Sequence, residues 1–366
     1  MQRSSARPCS RRPPTSAGRS CSRRSSRRRT RASPRSSTPR ERAAPRARGA
    51  LAAAAIAAVV LAYGVARERA FGADAGAAGE PVLRVGVVQA DLGLLEKRDA
   101  GLAGQRAHVA MTRELLADGP LDLVVWPETA IARALRRPLP LDGQLVRGDL
   151  DVALLFGGTS VFEEGGRRAR ANSAFLVGAD GAIRDAYDKN LLIPIAEWLP
   201  FEDAWPALRA SLPHAQRFRA SRETPALRLG DARIATPICY EAIRPAFVRA
   251  MVRASRANLL VTLANDAWFG DSREPHLHLA LARLRAIEHR RWLVRATNSG
   301  VSAIVDPAGR VRAETGVLER ATLRGRVGLR DDATLYARAG DWTGAAAVAA
   351  VAAALLVATG GPKPTA

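Results

Sequence analysis

Between Val82 and about Val327, short apolar runs alternate with helix-period segments and turn signals. Val82–Gln89 predicts a buried strand, Ala103–Ala117 a helix, and Leu121–Trp126 a second buried strand that closes on Pro127-Glu128. Asp151–Thr159 predicts a third strand. Asn172–Val177 and Ala182–Tyr187 flank Gly178-Ala179-Asp180-Gly181, the pattern of a hairpin. Further on, Arg233–Pro237 leads into Cys239, Arg244–Ser255 predicts a helix, Asn258–Leu263 a strand, and Arg285–Trp292 the end of a long helix. A second hairpin, Val301–Val305 with Val311–Glu314, turns on Asp306-Pro307-Ala308-Gly309. Mixed strands with helices on their outer faces imply a layered α/β domain, and no internal repeat interrupts it.

Two uncharged runs flank this domain, Gly49–Ala66 and Thr343–Thr359, each near the length that crosses a bilayer. Both are rich in alanine, so a buried core helix competes with a membrane span for each. Read as spans, they leave the arginine-rich N-terminal flank in the cytoplasm by the positive-inside rule, place the domain between them outside, and return the C-terminus inside. A signal peptide competes for the first run, but no small-x-small cleavage site follows it clearly. The expected organisation is a tail over residues 1–48, a transmembrane helix over 49–66, a catalytic domain over 81–330 and a second transmembrane helix over 343–359.

Composition changes the picture mainly at the N-terminus. With 366 residues and 47% hydrophobic content the chain can bury a large core, enough for one or two domains. The net charge of +21 is concentrated in residues 1–50, which hold sixteen arginines against one acid, Glu41. That segment has too little apolar area to offset the entropy of ordering it, so disorder is expected. A polycation binds phosphate, yet no aromatic residues are interleaved to stack on bases, which argues against a nucleic-acid partner. A GC-rich gene read from a wrong start or in a shifted frame gives the same Arg/Ser/Pro/Ala string, and this reading stands beside that of a real tail. Cys9 and Cys21 lie in the tail, leaving Cys239 as the only thiol of the body. A lone thiol in an oxidising compartment needs a chemical reason.

The candidate chemistry starts from a rarity: only three of the 56 basic residues are lysines. One, Lys189 in Tyr187-Asp188-Lys189, lies between Trp126-Pro127-Glu128 and Ile238-Cys239-Tyr240-Glu241. Arginine elsewhere supplies surface charge, so a lysine here suggests a compact ammonium able to exchange a proton. Each residue alone has a plain reading. Glu128 can be a solvated acid, Lys189 a surface cation after a hairpin, and Cys239 a small buried hydrophobe. Together they hold what acyl transfer needs: a thiol that must lose its proton, a base to take it, and positive charge for the resulting oxyanion. Glu128 fits the base. Lys189 fits the group that lowers the thiol pKa and binds the oxyanion, with a backbone N–H beside Cys239 as second donor. His276 and His278 have ligand-like spacing but no visible third or fourth partner, so no metal site is expected.

Five runs carry a family resemblance: WPETA at Trp126–Ala130, YDKNLLIPIAEWLP at Tyr187–Pro200, ICYE at Ile238–Glu241, NDAWFGDS at Asn265–Ser272 and RAIEHRRWLVRATNSGVSAIVDPAG at Arg285–Gly309. In these runs the chain resembles the nitrilase, or carbon–nitrogen hydrolase, superfamily, and within it the apolipoprotein N-acyltransferases. The resemblance implies an αββα sandwich flanked by transmembrane helices, with Glu128, Lys189 and Cys239 catalytic, no cofactor, and a place on the periplasmic face of the bacterial inner membrane. It implies a thioester on Cys239, with a membrane phospholipid as acyl donor and the diacylglyceryl-cysteine N-terminus of an apolipoprotein as acceptor. Glu197 is similar to a second carboxylate supporting the lysine, Tyr240 and Glu241 to residues shaping the site and its mobile cover, and Trp268 to a pocket wall. The residues themselves leave Glu197 readable as a loop acid, Tyr240 and Glu241 as strand-end packing, and Trp268 as a core aromatic. Trp198, Phe201 and Trp205 fit either a loop dipping into a membrane interface or ordinary loop packing.

The chain departs from the family at three places. Members carry several membrane helices before the catalytic domain where this sequence has Gly49–Ala66, the family's Phe-Gly-Glu is Ile195-Ala196-Glu197, and its Lys-Trp is Lys97-Arg98. Exchanging Gly for Ala questions the loop conformation. Two alternatives to the transferase stay open: a hydrolase of a small amide or nitrile, and an inactive truncated remnant that only binds lipid or lipoprotein.

Overall fold

The computed structural model describes residues 39–71, 74–77, 79–93, 102–178, 180–202, 204–205, 207–212 and 215–359. The expected tail up to residue 38 and the Lys97-Arg98 pair lie outside the described residues. Two units divide the chain, one ending at Val60 and the other running from Leu61. The first is helical from Pro39, inside the segment read as tail. Among the described residues one helix, Gly49–Phe71, is long and apolar enough to cross a membrane, and it is unburied. The apolar stretch Trp342–Leu356, within the helix Trp342–Thr359, is shorter than that.

The strands run in the order β1 (Val82–Gln89), β2 (Leu123–Val125), β3 (Leu135–Arg136), β4 (Leu141–Asp142), β5 (Ala153–Glu164), β6 (Arg167–Val177), β7 (Ala182–Asp188), β8 (Leu227–Leu229), β9 (Ala232–Ala235), β10 (Leu259–Ala264), β11 (Leu293–Thr297), β12 (Ala303–Val305), β13 (Val311–Glu314) and β14 (Ala321–Gly328). They form two sheets, β14-β1-β2-β5-β6-β7-β4 with β3 beside β5, and β13-β12-β11-β10-β9-β8. Val85, Val87, Leu123, Val125 and Leu155 of the first sheet share one core with Ile234, Leu260, Val261 and Val294 of the second. The other face of the first sheet, Val88, Val124, Leu154 and Phe156, packs with Met111 and Leu115 of the helix Ala103–Ala117. On the second sheet Val248 and Met251 of the helix Pro245–Ser255 and Leu279, Ala282 and Ala286 of the helix Glu274–His289 join the core. The layers are therefore helix, sheet, sheet, helix, the αββα sandwich that the resemblance implied, and the central strands read as unbroken apolar runs because both their faces are covered.

β1 and the helix Ala103–Ala117 keep their sequence-read bounds, whereas β5 runs on from Thr159 to Glu164. The added residues pair outward with β6, Glu164 against Arg167 and Glu163 against Arg168. There, opposed charges on an exposed ribbon replace apolar periodicity. β14, which the hydrophobic pattern did not announce, lies antiparallel to β1 from Gly328 opposite Val82 to Ala321 opposite Gln89.

Candidate active site

Glu128 follows β2, a strand buried between β1 and β5. Its backbone is pressed against Gly157 of β5, where a Cβ would stand 2.6 Å from the Cα of Glu128 and 2.8 Å from the Pro127 carbonyl oxygen. Only glycine permits that approach. The Gly157 N–H donates to the Pro127 carbonyl at 3.1 Å and the Ala130 N–H to the Gly157 carbonyl at 3.0 Å, which fixes the turn carrying the carboxylate.

Lys189 extends β7, its N–H donating to the Asn172 carbonyl at 2.8 Å. Its side chain is fully buried. The ammonium Nζ lies 2.9 Å from Oε1 of Glu197 and 3.5 Å from Oε1 of Glu128. Asn172, on β6, donates its Nδ2 to the same two oxygens, at 2.7 Å to Glu128 and 2.9 Å to Glu197. A buried cation thus faces two carboxylates that an amide holds in register, as a charge removed from water requires. Burial alone would lower the lysine pKa, but the carboxylates of Glu128 and Glu197, joined by Cys239 whenever it is a thiolate, outweigh it and hold the ammonium above its ordinary value.

Glu197 anchors its own loop: Oε2 accepts from the Ile193 N–H at 2.9 Å, and the Glu197 N–H donates to the Ile193 carbonyl at 2.9 Å. The residue carrying the left-handed conformation is Ile195, φ 71°, whereas Ala196 has no positive φ. Alanine in place of the family's glycine therefore imposes no backbone strain at that position.

Cys239 opens a short 3-10 turn, Cys239–Ile243, after β9 and sits at φ 51°, uncommon for any residue but glycine. Burial and then the charge of Glu128 push its thiol pKa up, and Lys189 and Arg295 offset this only in part. The thiol therefore rests protonated, and attack requires a base. Two residues on, the fully buried Glu241 accepts from the Ile238 N–H at 2.8 Å, the Asn190 N–H at 2.7 Å and the Leu191 N–H at 2.9 Å. Tyr187 donates its hydroxyl to both Glu241 oxygens, at 2.8 and 2.7 Å. One carboxylate thus joins the loop after Lys189 to the turn that presents Cys239. Burial raises its pKa to about 7. Tyr240 turns elsewhere, its hydroxyl accepting from Arg244 Nη1 at 2.6 Å.

Beneath Cys239 lies a second buried set. His278 Nε2 is 3.3 Å from the Cys239 carbonyl oxygen and its Nδ1 is 3.0 Å from Asp266, whose other oxygen meets Arg295 Nη2 at 2.8 Å. Burial pushes Asp266 up, but Arg295 and His278 outweigh it and its pKa lies below the ordinary value. His276 is exposed, so the two histidines of the ligand-like pair face apart. Asp266, Glu274 and His278 could bring ligand atoms within 4.8 Å of one another, but Arg295 already supplies a cation to Asp266.

The structure thus gathers Glu128, Lys189, Glu197, Cys239 and Glu241 at one end of the strands and turns Tyr240 toward Arg244. Trp268 is 73% exposed, so it is no core aromatic, and Trp198, Phe201 and Trp205 are exposed as well. Asn172, Tyr187, Asp266, His278 and Arg295 were not read as site residues. The one signal for Asn172 was that it and Ser173 are polar side chains at the start of an otherwise apolar strand end.

Residues 84–331 match the carbon-nitrogen hydrolase family. The chain is 36% identical over 251 residues to an apolipoprotein N-acyltransferase of Geobacter metallireducens, covering 66% of this chain and 48% of that protein. To the apolipoprotein N-acyltransferase of Pseudomonas putida it is 34% identical over 280 residues, covering 72% and 52%. The chain spans about half the length of the curated relatives it matches. Among solved structures, Saccharomyces cerevisiae Nit3, a member of branch 10 of the nitrilase superfamily, superposes with TM-score 0.52 at 16% identity over 68% of this chain and 90% of that one. A carbon-nitrogen hydrolase from Helicobacter pylori gives 0.50 at 15% identity over 68% and 89%. These two likenesses concern the fold.

Proposed function

Because the chain belongs to the carbon–nitrogen hydrolase family, we propose that it uses Cys239 as an acyl-transfer nucleophile, and that it is a membrane-bound N-acyltransferase acting on apolipoproteins. The observation that carries the chemistry is the buried Lys189 ammonium held between Glu128 and Glu197, with Cys239 close enough for both the lysine and Glu128 to act on its thiol. Glu128 takes the Cys239 proton as sulfur attacks the ester carbonyl of a phospholipid. Lys189 and a backbone N–H beside Cys239 bind the oxyanion. The C–O bond breaks, the lysophospholipid oxygen receives the proton from Glu128, and a thioester remains. In the second half the α-amino group of the acceptor attacks that thioester, Glu128 accepts a proton from the nitrogen, and C–S cleavage leaves an amide and a thiolate that regains the proton.

A lipid donor is supported by the apolar rim. Phe201 and Trp205 after Glu197, and Trp268 and Phe269 after Asp266, stay exposed although they flank the site. The relatives' name supports the acceptor. The helix Gly49–Phe71 supports anchorage, with the shorter Trp342–Thr359 as a second segment, and the arginine-rich flank supports a cytoplasmic N-terminus and a periplasmic catalytic domain in the bacterial inner membrane. A hydrolase would share the thioester and release it to water instead of an amine. The test is mass spectrometry of the detergent-solubilised chain after incubation with phospholipid. A hydroxylamine-labile acyl adduct on Cys239, absent in Cys239→Ala and discharged by a diacylglyceryl-cysteine peptide, is expected. Discharge by water at the same rate without the peptide favours the hydrolase, and no adduct overturns acyl transfer.

A further inference from the structure

At the opposite end of the second sheet, where β9 and β11 begin, a cleft of about 540 Å³ is lined by six arginines and two aspartates. Both acids are already engaged, Asp331 by Arg233 at 2.5 Å and Asp332 by Arg330 at 2.8 Å. Of the arginines, Arg249 is tied to the carbonyls of Tyr336, Ala337 and Arg338, and Arg291 through Nε and Nη1 to those of Ala257, His289 and Asp332. Among the described residues the guanidinium groups of Arg253, Arg256 and Arg338 have neither a carboxylate nor a hydrogen-bond partner. His289, the last residue of its helix and 1% exposed, also lines the cleft; its ring packs edge-on to Tyr336, and among the described residues neither ring nitrogen has a hydrogen-bond partner. A buried imidazole left idle is rare. Burial, then the charges of Arg291, Arg285 and Arg249, push its pKa down to about 3, so the ring is neutral and keeps one N–H to donate.

We infer that this cleft binds a phosphate-class oxyanion, supplied by the headgroup of an anionic lipid or by a free phosphate monoester. Arginine forks match phosphate oxygens in pairs, and several donors converging on one cavity suit a tetrahedral anion better than a planar carboxylate. A helix C-terminus draws basic residues by its dipole, which accounts for the placement of Arg253 and Arg256 at the end of Pro245–Ser255 and of His289 at the end of Glu274–His289, but not for ring nitrogens of His289 that have no hydrogen-bond partner among the described residues. The apolar helix opening at Trp342 begins shortly after Arg338 on the rim, which would hold the cleft near the headgroup level if that helix enters a bilayer.

The test uses the full chain in a zwitterionic detergent. Inorganic phosphate is titrated calorimetrically at constant ionic strength into the wild type and into an Arg253→Gln, Arg256→Gln double variant, and the imidazole resonance of His289 is followed by NMR. Saturable binding, at least tenfold weaker in the double variant, with a shift of the His289 resonance on saturation, is expected. Displacement of phosphate by phosphatidylglycerol vesicles but not phosphatidylcholine vesicles identifies the lipid source; no displacement identifies free phosphate. Absence of saturable binding, or equal binding by both proteins, overturns the inference. Should the double variant fail to fold, an unmoved His289 resonance in the wild type overturns it equally.

Discussion

The two ends of the second sheet differ in how their charges are partnered. At the Cys239 end each buried charge meets partners within the chain: Lys189 two carboxylates, Glu241 four donors, Asp266 both His278 and Arg295. At the other end cations outnumber acids in the cleft, and among the described residues the ring nitrogens of His289 have no hydrogen-bond partner. The difference shows where preorganisation lies. A site that must stabilise charge developing during a reaction keeps its charges fixed beforehand, because reorganising them during the reaction would raise the barrier. A site that takes its counter-charge from outside leaves donors unsatisfied until the ligand arrives.

The sharpest way to break this comparison is at the proton acceptor. Glu128→Gln keeps an acceptor oxygen for Asn172 but removes the base and one counter-charge of Lys189, so acylation of Cys239 should fall about a hundred- to ten-thousandfold, read as adduct formation against time. A rate within tenfold of wild type would remove Glu128 from the role of base.

Next in size is a pH effect at Glu241. Its pKa is raised from the ordinary 4.5 to about 7 by burial. The unfolded chain therefore releases this proton first while the folded state still holds it, so stability falls as pH rises from about 4.5 to about 7 and is level above. The fall attributable to this group is about 3 kcal/mol, measured as the difference between wild type and Glu241→Gln in urea unfolding at pH 4.5 and 7.5. Parallel pH dependence in the two proteins would mean that Glu241 is ionised throughout.

A smaller change should separate backbone placement from charge. Gly157→Ala drives a methyl into the backbone of Pro127 and Glu128. Destabilisation of about 1–3 kcal/mol is expected, with loss of acylation larger than that of the mildly destabilised fold, since the carboxylate moves. Unchanged acylation would show that the Glu128 turn adapts freely. The smallest effect belongs to the far end, where Arg253→Gln with Arg256→Gln removes no internal partner and should alter unfolding free energy by no more than about 0.5 kcal/mol. A larger loss would mean that these arginines serve the fold rather than a ligand.

Much of the site was legible in the sequence, but unevenly. Glu128, Lys189 and Cys239 each follow a strand, β2, β7 and β9, so apolar runs with a reactive residue at their ends pointed to all three. Glu241 stood beside Cys239 in sequence, yet its task depends on Tyr187, Asn190 and Leu191, which reach it only when β7 and β9 lie in facing sheets. Asn172 was hidden because a strand reveals which side chains share a face, not what stands across from that face. β14 escaped notice since ATLRGRVG has little apolar content; it is a strand because β1 offers it a ladder.

By itself the sequence determined the local elements and the order of the reactive residues, since strand and helix periods and turn chemistry act over a few neighbours. Only the tertiary structure decided that Asn172 spans two carboxylates, that Glu241 joins two loops, and that arginines from separate elements line a cleft around His289. Those facts depend on which distant strands pair and which faces meet, and hydrogen bonding and burial settle this together across the whole chain.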